Sequence, residues 1–168
     1  MSHVLLLDTN VWSHLILSDD AKRSKVQADL DALLQKYPGA ARATSGICVA
    51  ECMVAARRIT DPSARAVVEA AFQAEFDNPN LMVVDVSLAL LDKAATLRAE
   101  ALRRSAAAGG TAASADGGKL KLPDAVIAAS CLDFDPPAIL VTENVSDFRY
   151  IEGSQSRTVA DLVVELVG

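Results

Sequence analysis

The sequence predicts an α/β fold with a mostly parallel sheet and helices on both faces. Three observations lead there. Short apolar strand-like runs alternate with helix-like segments along the whole chain, the pattern of successive βαβ units. The runs are apolar throughout rather than alternating, as in strands buried on both faces. Hydrophobic residues make up 51% and aromatics 4% of the 168 residues, so Ala, Val and Leu must carry the packing of helices on sheet.

The elements follow in order. Val4 to Leu7 reads as a buried strand. Asp8-Thr9-Asn10 turns the chain, with Thr9 or Asn10 available as N-cap for a short apolar helix from Val11 to Leu17. Val26, Leu30, Leu33 and Leu34 recur at helical spacing within Ser24 to Tyr37, and Pro38-Gly39 stops that helix. A second strand covers Arg42 to Ile47, followed by a helix from Cys48 to about Ile59. Asp61-Pro62 opens the next helix, where the missing proline N–H costs nothing. It runs to about Phe76, and Asn78-Pro79 ends it. Leu81 to Val86 is the third strand, and Ser87 caps a long helix from Leu88 to about Ser105.

Residues 106–118 are almost entirely Ala, Gly, Ser and Thr, the composition of a flexible loop, with a frayed extension of the preceding helix as the alternative at its start. Pro123 begins the helix that carries Asp124, and Ala138 to Thr142 forms a fourth strand. Arg157 to Val159 reads as a short edge strand, and Ala160 to Val167 as a final helix or an extended tail. Neither a repeat nor a linker interrupts this order, so residues 1–168 are expected to form one domain.

Composition narrows the function. The apolar runs are too short to span a bilayer, and the first residues lack the basic-then-apolar pattern of a signal peptide. Three cysteines argue against a disulfide framework. Cys48 and Cys52 are four apart on one helix face, and free buried thiols explain them better than zinc. A reducing cytoplasm is the expected location. The net charge of −6 is unusual for a nucleic-acid binder, although cations held by an acid cluster would offset part of it.

The acids themselves are the main signal. Asp8 ends the first strand, Glu51 sits among Val49, Ala50, Cys52 and Met53, Asp124 opens an apolar helix, and Asp147 follows the fourth strand. In a parallel α/β sheet, ligands bind beyond the carboxyl ends of the strands. Carboxylates gathered there need cations between them, and a hard cation among carboxylates serves phosphate chemistry. Each acid also has a simpler role open to it. Asp8 could cap the following helix, Glu51 could lie on a narrow exposed stripe, Asp124 could stabilise a helix dipole, and Asp147 could be an ordinary loop residue. Thr142 and Asn144 could orient a ligand or simply form the turn. Glu143, in the same loop, is expected to face solvent.

The segments Leu6-Leu7-Asp8-Thr9-Asn10-Val11, Val49-Ala50-Glu51, Pro123-Asp124-Ala125-Val126-Ile127-Ala128-Ala129 and Val141-Thr142-Glu143-Asn144-Val145-Ser146-Asp147-Phe148 together resemble the signature of PIN-domain nucleases. Their order spans nearly the whole chain. The size most resembles the VapC-type toxins of type II toxin–antitoxin modules. The resemblance implies a three-layer α/β/α sandwich with four to five strands. It implies that Asp8, Glu51, Asp124 and Asp147 surround Mg²⁺ or Mn²⁺, with Thr9, Asn10, Thr142, Asn144 and Lys121 as supporting or substrate-contacting residues. RNA cleavage, a cognate antitoxin and homodimerisation are implied as well. The chain departs from the pattern in its somewhat greater length and in the small-residue loop at 106–118.

Other residues have weaker claims. Lys119 and Lys121 precede Asp124 and could touch a phosphate backbone. Arg57 and Arg58 read better as surface charges, and Trp12 as core or interface. The apolar sides of helices 11–17 and 24–37 could form a groove for an antitoxin helix, or be buried within the chain or a homodimer. Three rival functions remain: a housekeeping RNA-processing PIN nuclease, a catalytically silent PIN binding module, and a phosphatase using Asp8 as nucleophile. The phosphatase pattern wants a second Asp where Asn10 stands.

Overall fold

The structure, a computed structural model, describes residues 3–107, 120–148, 151 and 163–165. Its centre is a sheet of five parallel strands in the order β3-β2-β1-β4-β5. The strands are β1 (Val4–Leu7), β2 (Ala41–Ser45), β3 (Leu81–Val84), β4 (Ile139–Thr142) and β5 (Val163–Glu165). The helices are α1 (Thr9–Leu17), α2 (Asp20–Lys36), α3 (Gly46–Arg57), α4 (Pro62–Phe76), α5 (Leu88–Ala107), α6 (Leu122–Cys131) and α7 (Val145–Phe148). The architecture is the three-layer α/β/α sandwich expected, with α1 packed on α2, α3 and α4, and α5 lying along α6.

Strand β1 explains why the sheet forms where it does. Leu5, Leu6 and Leu7 are fully buried, and each stabilises the fold by about 1.5–3 kcal/mol when taken out of water. Leu6 pairs with Ala43 on one side and Leu140 on the other. The chain steps from β1 to β2 and β3 in one direction, then returns to place β4 on the far side of β1. Direction reverses between β1 and β4, which opens a crevice at their carboxyl ends.

Local chemistry sets the helix ends. Asp19 accepts from the Lys22 N–H at 2.9 Å and starts α2 at Asp20, four residues before the expected start at Ser24. Asp61 caps α4, with Pro62 in its first turn, and Ser87 caps α5 through the Leu90 N–H. After α2, Gly39 takes φ 77°, a left-handed conformation that glycine adopts at no steric cost. Gly46 opens α3 two residues before the expected start. A Cβ there would lie 3.3 Å from both Val84 O and Val86 Cγ2, so the small residue lets the helix begin close against the end of β3.

Several expectations need correction. Helix α1 begins at Thr9 rather than Val11, because Asp8 supplies the cap that Thr9 or Asn10 was expected to supply. Strand β3 ends at Val84 rather than Val86; α5 continues through residues 106 and 107 of the expected loop, the extension of the helix that the composition had left open. The rest of that loop and Lys119 lie outside the described residues, as does the expected edge strand at 157–159. Within 160–167, residues Val163–Glu165 form a strand on β4 rather than a helix. Helix α7 had no sequence signal. Among the described residues, no helix is long and apolar enough to cross a membrane.

The core makes a direct demand on β1. Leu6→Ala should lower the unfolding free energy by about 2–5 kcal/mol, measured by denaturant titration. A loss under 1 kcal/mol would contradict a close-packed site between β2 and β4.

Candidate functional site

The four predicted acids reach the carboxyl-end crevice from four different elements. Asp8 follows β1 directly, and its backbone N–H donates to Val141 O of β4 at 3.1 Å. Glu51 lies in the second turn of α3, Asp124 in the first turn of α6, and Asp147 in α7 just beyond β4. Asp8 is buried, while the other three are partly exposed.

Asp8 is held by neutral donors. Its Oδ1 accepts from the Thr9 N–H at 2.6 Å. Its Oδ2 accepts from Asn10 Nδ2 at 2.9 Å and from Thr142 Oγ1 at 2.7 Å. These bonds favour the ionised form, but burial opposes it more strongly. Asp124 and Glu51 add repulsion, and together these push the carboxyl from its ordinary 3.8 to about 6. Asp124 is also raised, first by burial and then by the charges of Asp147 and Glu51, against the Lys121 N–H and the Lys121 charge. The four carboxylates thus form one electrostatic unit, with each linked to at least one other.

The remaining oxygens are partly committed. The Thr9 hydroxyl donates to Glu51 Oε2 at 2.5 Å. The Lys121 backbone N–H donates to Asp124 Oδ2 at 3.1 Å, so Asp124 does help to close the start of α6. Each of these bonds uses one oxygen of its carboxylate. Among the described residues no three His, Cys, Asp or Glu side chains are drawn together as a metal-binding group. The donor set nevertheless suits a hard cation: it is all oxygen, and its mutual repulsion is relieved by positive charge.

The supporting residues divide clearly. Thr142 is buried, bonds Asp8, and accepts from the Asn144 N–H at 3.0 Å. Asn10 bridges Asp8 and Thr142. Asn144 is exposed, and its carbonyl accepts the Asp147 N–H, so it serves the turn into α7. Lys121 is exposed beside Asp124. Trp12 is core, with Nε1 donating to Thr44 Oγ1 at 3.0 Å. Arg57 pairs with Glu69 at 3.7 Å on the surface. Cys48, Cys52 and Cys131 are buried free thiols; burial, with Asp8 adding to it, pushes Cys48 up to about 12, far from the reactive range.

A family model described as the PIN domain matches residues 5–144. The chain belongs to the PIN domain family. Sequence comparison with curated proteins gives no significant match. Solved structures share the fold. This PIN domain superposes on a structure of FitAB bound to an IR36 DNA fragment with a TM-score of 0.67, at 20% identity over 96% of this chain and 94% of that one. It superposes on VapBC2 from Rickettsia felis, bound to a DNA fragment from its promoter, with a TM-score of 0.60, at 21% identity over 88% and 92%. A toxin–antitoxin complex from Klebsiella pneumoniae gives 0.58, at 23% identity over 97% and 98%.

The sequence reading of this PIN domain missed one cluster. Glu143 does not face solvent. It is partly buried, and Lys22 Nζ and His14 Nε2 each reach it at 2.5 Å. Burial alone would raise its carboxyl, but the Lys22 bond and the His14 bond and charge outweigh that and hold it low. One signal was available: His14 is four residues after Asn10, so both lie on one face of α1.

The sign of the Asp8 shift makes a prediction. Between pH 3.8 and about 6 the folded protein binds more protons than the unfolded chain, so stability falls as pH rises through that window. The shift is equivalent to about 3 kcal/mol at neutral pH. Asp8→Asn removes this dependence. Denaturant titrations should show the variant gaining about 2–3 kcal/mol relative to wild type between pH 4 and pH 7.5. A constant difference would contradict the raised carboxyl.

Proposed function

We propose that this PIN domain is a divalent-metal-dependent endoribonuclease and the toxin of a type II toxin–antitoxin module. The observation that carries the nuclease reading is the buried Asp8 carboxyl, raised to about 6 by burial and by Asp124 and Glu51 and bonded by neutral donors. Such a group gains most from a cation. Asp8, Glu51, Asp124 and Asp147 would hold Mg²⁺ or Mn²⁺. The cation supplies Lewis-acid chemistry and charge compensation at the scissile phosphate.

The chain's own residues do the rest. Thr9 orients Glu51, Asn10 and Thr142 orient Asp8, and Lys121 is placed to meet a phosphate beside Asp124. Water is the nucleophile in this scheme, leaving a 5′-phosphate and a 3′-hydroxyl. Attack by the RNA 2′-hydroxyl would need a general base. The two histidines are otherwise engaged: His14 with Glu143 and Ser18, and His3 edge-on to Tyr37 just before β1, at the end of that strand remote from Asp8.

The toxin reading draws on the fold shared with chains from toxin–antitoxin complexes. It also draws on a cleft of about 450 Å³ beside α1 and α2, lined by Trp12, Leu15, Ile16 and Leu30 together with Arg23, Arg42, Asp31 and Glu75. An amphipathic antitoxin helix with its apolar face toward Leu15 and Ile16 and charges of both signs on its flanks fits that chemistry. Exposed Met82, Val83 and Leu88 along β3 and the start of α5 would be covered in a homodimer. The same reading places the protein in the cytoplasm as one domain.

Purified protein should cleave RNA with Mg²⁺ or Mn²⁺ and stop on chelation. Asp8→Asn and Asp124→Asn should each reduce the rate by about 10²-fold or more, with 5′-phosphate products in the wild type. Cleavage in excess chelator, or a 2′,3′-cyclic phosphate product, would overturn the metal scheme. Growth arrest on expression, relieved by the product of an adjacent short reading frame, separates a toxin from a housekeeping RNA-processing enzyme.

A further inference from the structure

Three polar side chains at the rim of the acid site, Lys22, Glu143 and His14, are outside the chemistry just described, yet they are bonded into it. Glu143 accepts Lys22 Nζ on Oε1 and His14 Nε2 on Oε2, both at 2.5 Å. His14 is itself fixed through Nδ1 to Ser18 Oγ at 2.9 Å. The β4–α7 loop is therefore tied to α1 by His14 and to α2 by Lys22. The loop is short, and it carries Thr142 at one end and leads to Asp147 at the other.

The tie reaches Asp8 through one amide. The Glu143 backbone N–H donates to Asn10 Oδ1 at 3.3 Å. That bond needs the oxygen end of the Asn10 amide, so the nitrogen end faces the other way. There it donates to Asp8 Oδ2 at 2.9 Å and Thr142 Oγ1 at 3.0 Å. An asparagine amide has a donor end and an acceptor end, and the position of the Glu143 backbone selects which end meets Asp8. Lys22 and His14 reach Asp8 through this chain of hydrogen bonds.

We propose that Lys22, Glu143 and His14 form a positioning clamp. The clamp holds the β4–α7 loop where the Glu143 N–H orients Asn10, and Asn10 in turn presents its amide N–H to Asp8. It is a device of this chain's own side chains, built from residues far apart in sequence. Its consequence for cation binding rests on the metal-dependent reading above, because outer partners of a ligating carboxylate set its orientation.

The test uses the full chain labelled with ¹⁵N. The Asn10 side-chain amide is assigned from the spectrum of Asn10→Ser, and its hydrogen exchange is then measured in Glu143→Ala and in the Lys22→Met/His14→Leu double variant. Both should speed exchange about tenfold, as a held group becomes free to open. Exchange at the wild-type rate in Glu143→Ala would overturn the clamp. So would fast exchange in Glu143→Ala with wild-type exchange in the double variant, because Glu143 would then act without its partners. If Glu143→Ala does not fold, the double variant, which keeps Glu143, decides alone. Mn²⁺ titration by calorimetry on the same proteins should show affinity weakened about tenfold. A wild type that binds no Mn²⁺ would sink the metal reading, and the amide exchange would still decide the clamp.

Discussion

The rest of the site depends on one buried charge. Asp8 is placed where β1 ends, in the crevice between β1 and β4, with three fully buried leucines behind it. Water is largely excluded and the described donors are neutral, so the carboxylate is satisfied geometrically but not electrostatically. Two further acids approach close enough to raise it. A chain selected for stability alone would have an asparagine or an apolar residue there. On the proposed metal-dependent reading, the penalty that burial places on this carboxylate contributes to the driving force for binding a cation.

The same residues serve folding and the site at once. Asp8 caps α1 with Oδ1 and turns Oδ2 toward Asn10 and Thr142. Asp124 closes the first turn of α6 through Oδ2, and its charge couples to Asp147 and Glu51. Capping and ligation had looked like competing roles for both residues. A carboxylate has two oxygens and about four acceptor sites, so capping leaves room for the proposed ligation. Capping also fixes each acid to a helix terminus, whose partial positive charge favours ionisation.

How much could be read in advance varied with the range of the forces involved. Strand β1 and its acid were legible, because an apolar run ending in a single Asp has few other solutions. Ser87 and Asp61 were legible as caps. The start of α2 was not, because Asp20, Lys22 and Arg23 are polar with only Ala21 among them, and the Asp19 cap, a local bond without apolar periodicity, is what announces the helix. The early start of α3 depends on Gly46 meeting the end of β3, a contact across 38 residues. Val163–Glu165 became a strand because β4 offered it an open edge, a property of the sheet and not of the segment.

The sequence by itself determined the alternation of elements, the parallel sheet, and the identity of the four acids, because each rests on local pattern: hydrophobic runs, caps, and carboxylates where strands stop. Tertiary structure decided which neutral donors hold Asp8, how far its carboxyl is raised, and that Glu143 turns inward. Those outcomes need Thr142 brought to Asp8 and Lys22 brought to Glu143, across more than a hundred residues each. Hydrogen bonds and charges act over a few ångströms, so only the folded chain can choose such partners.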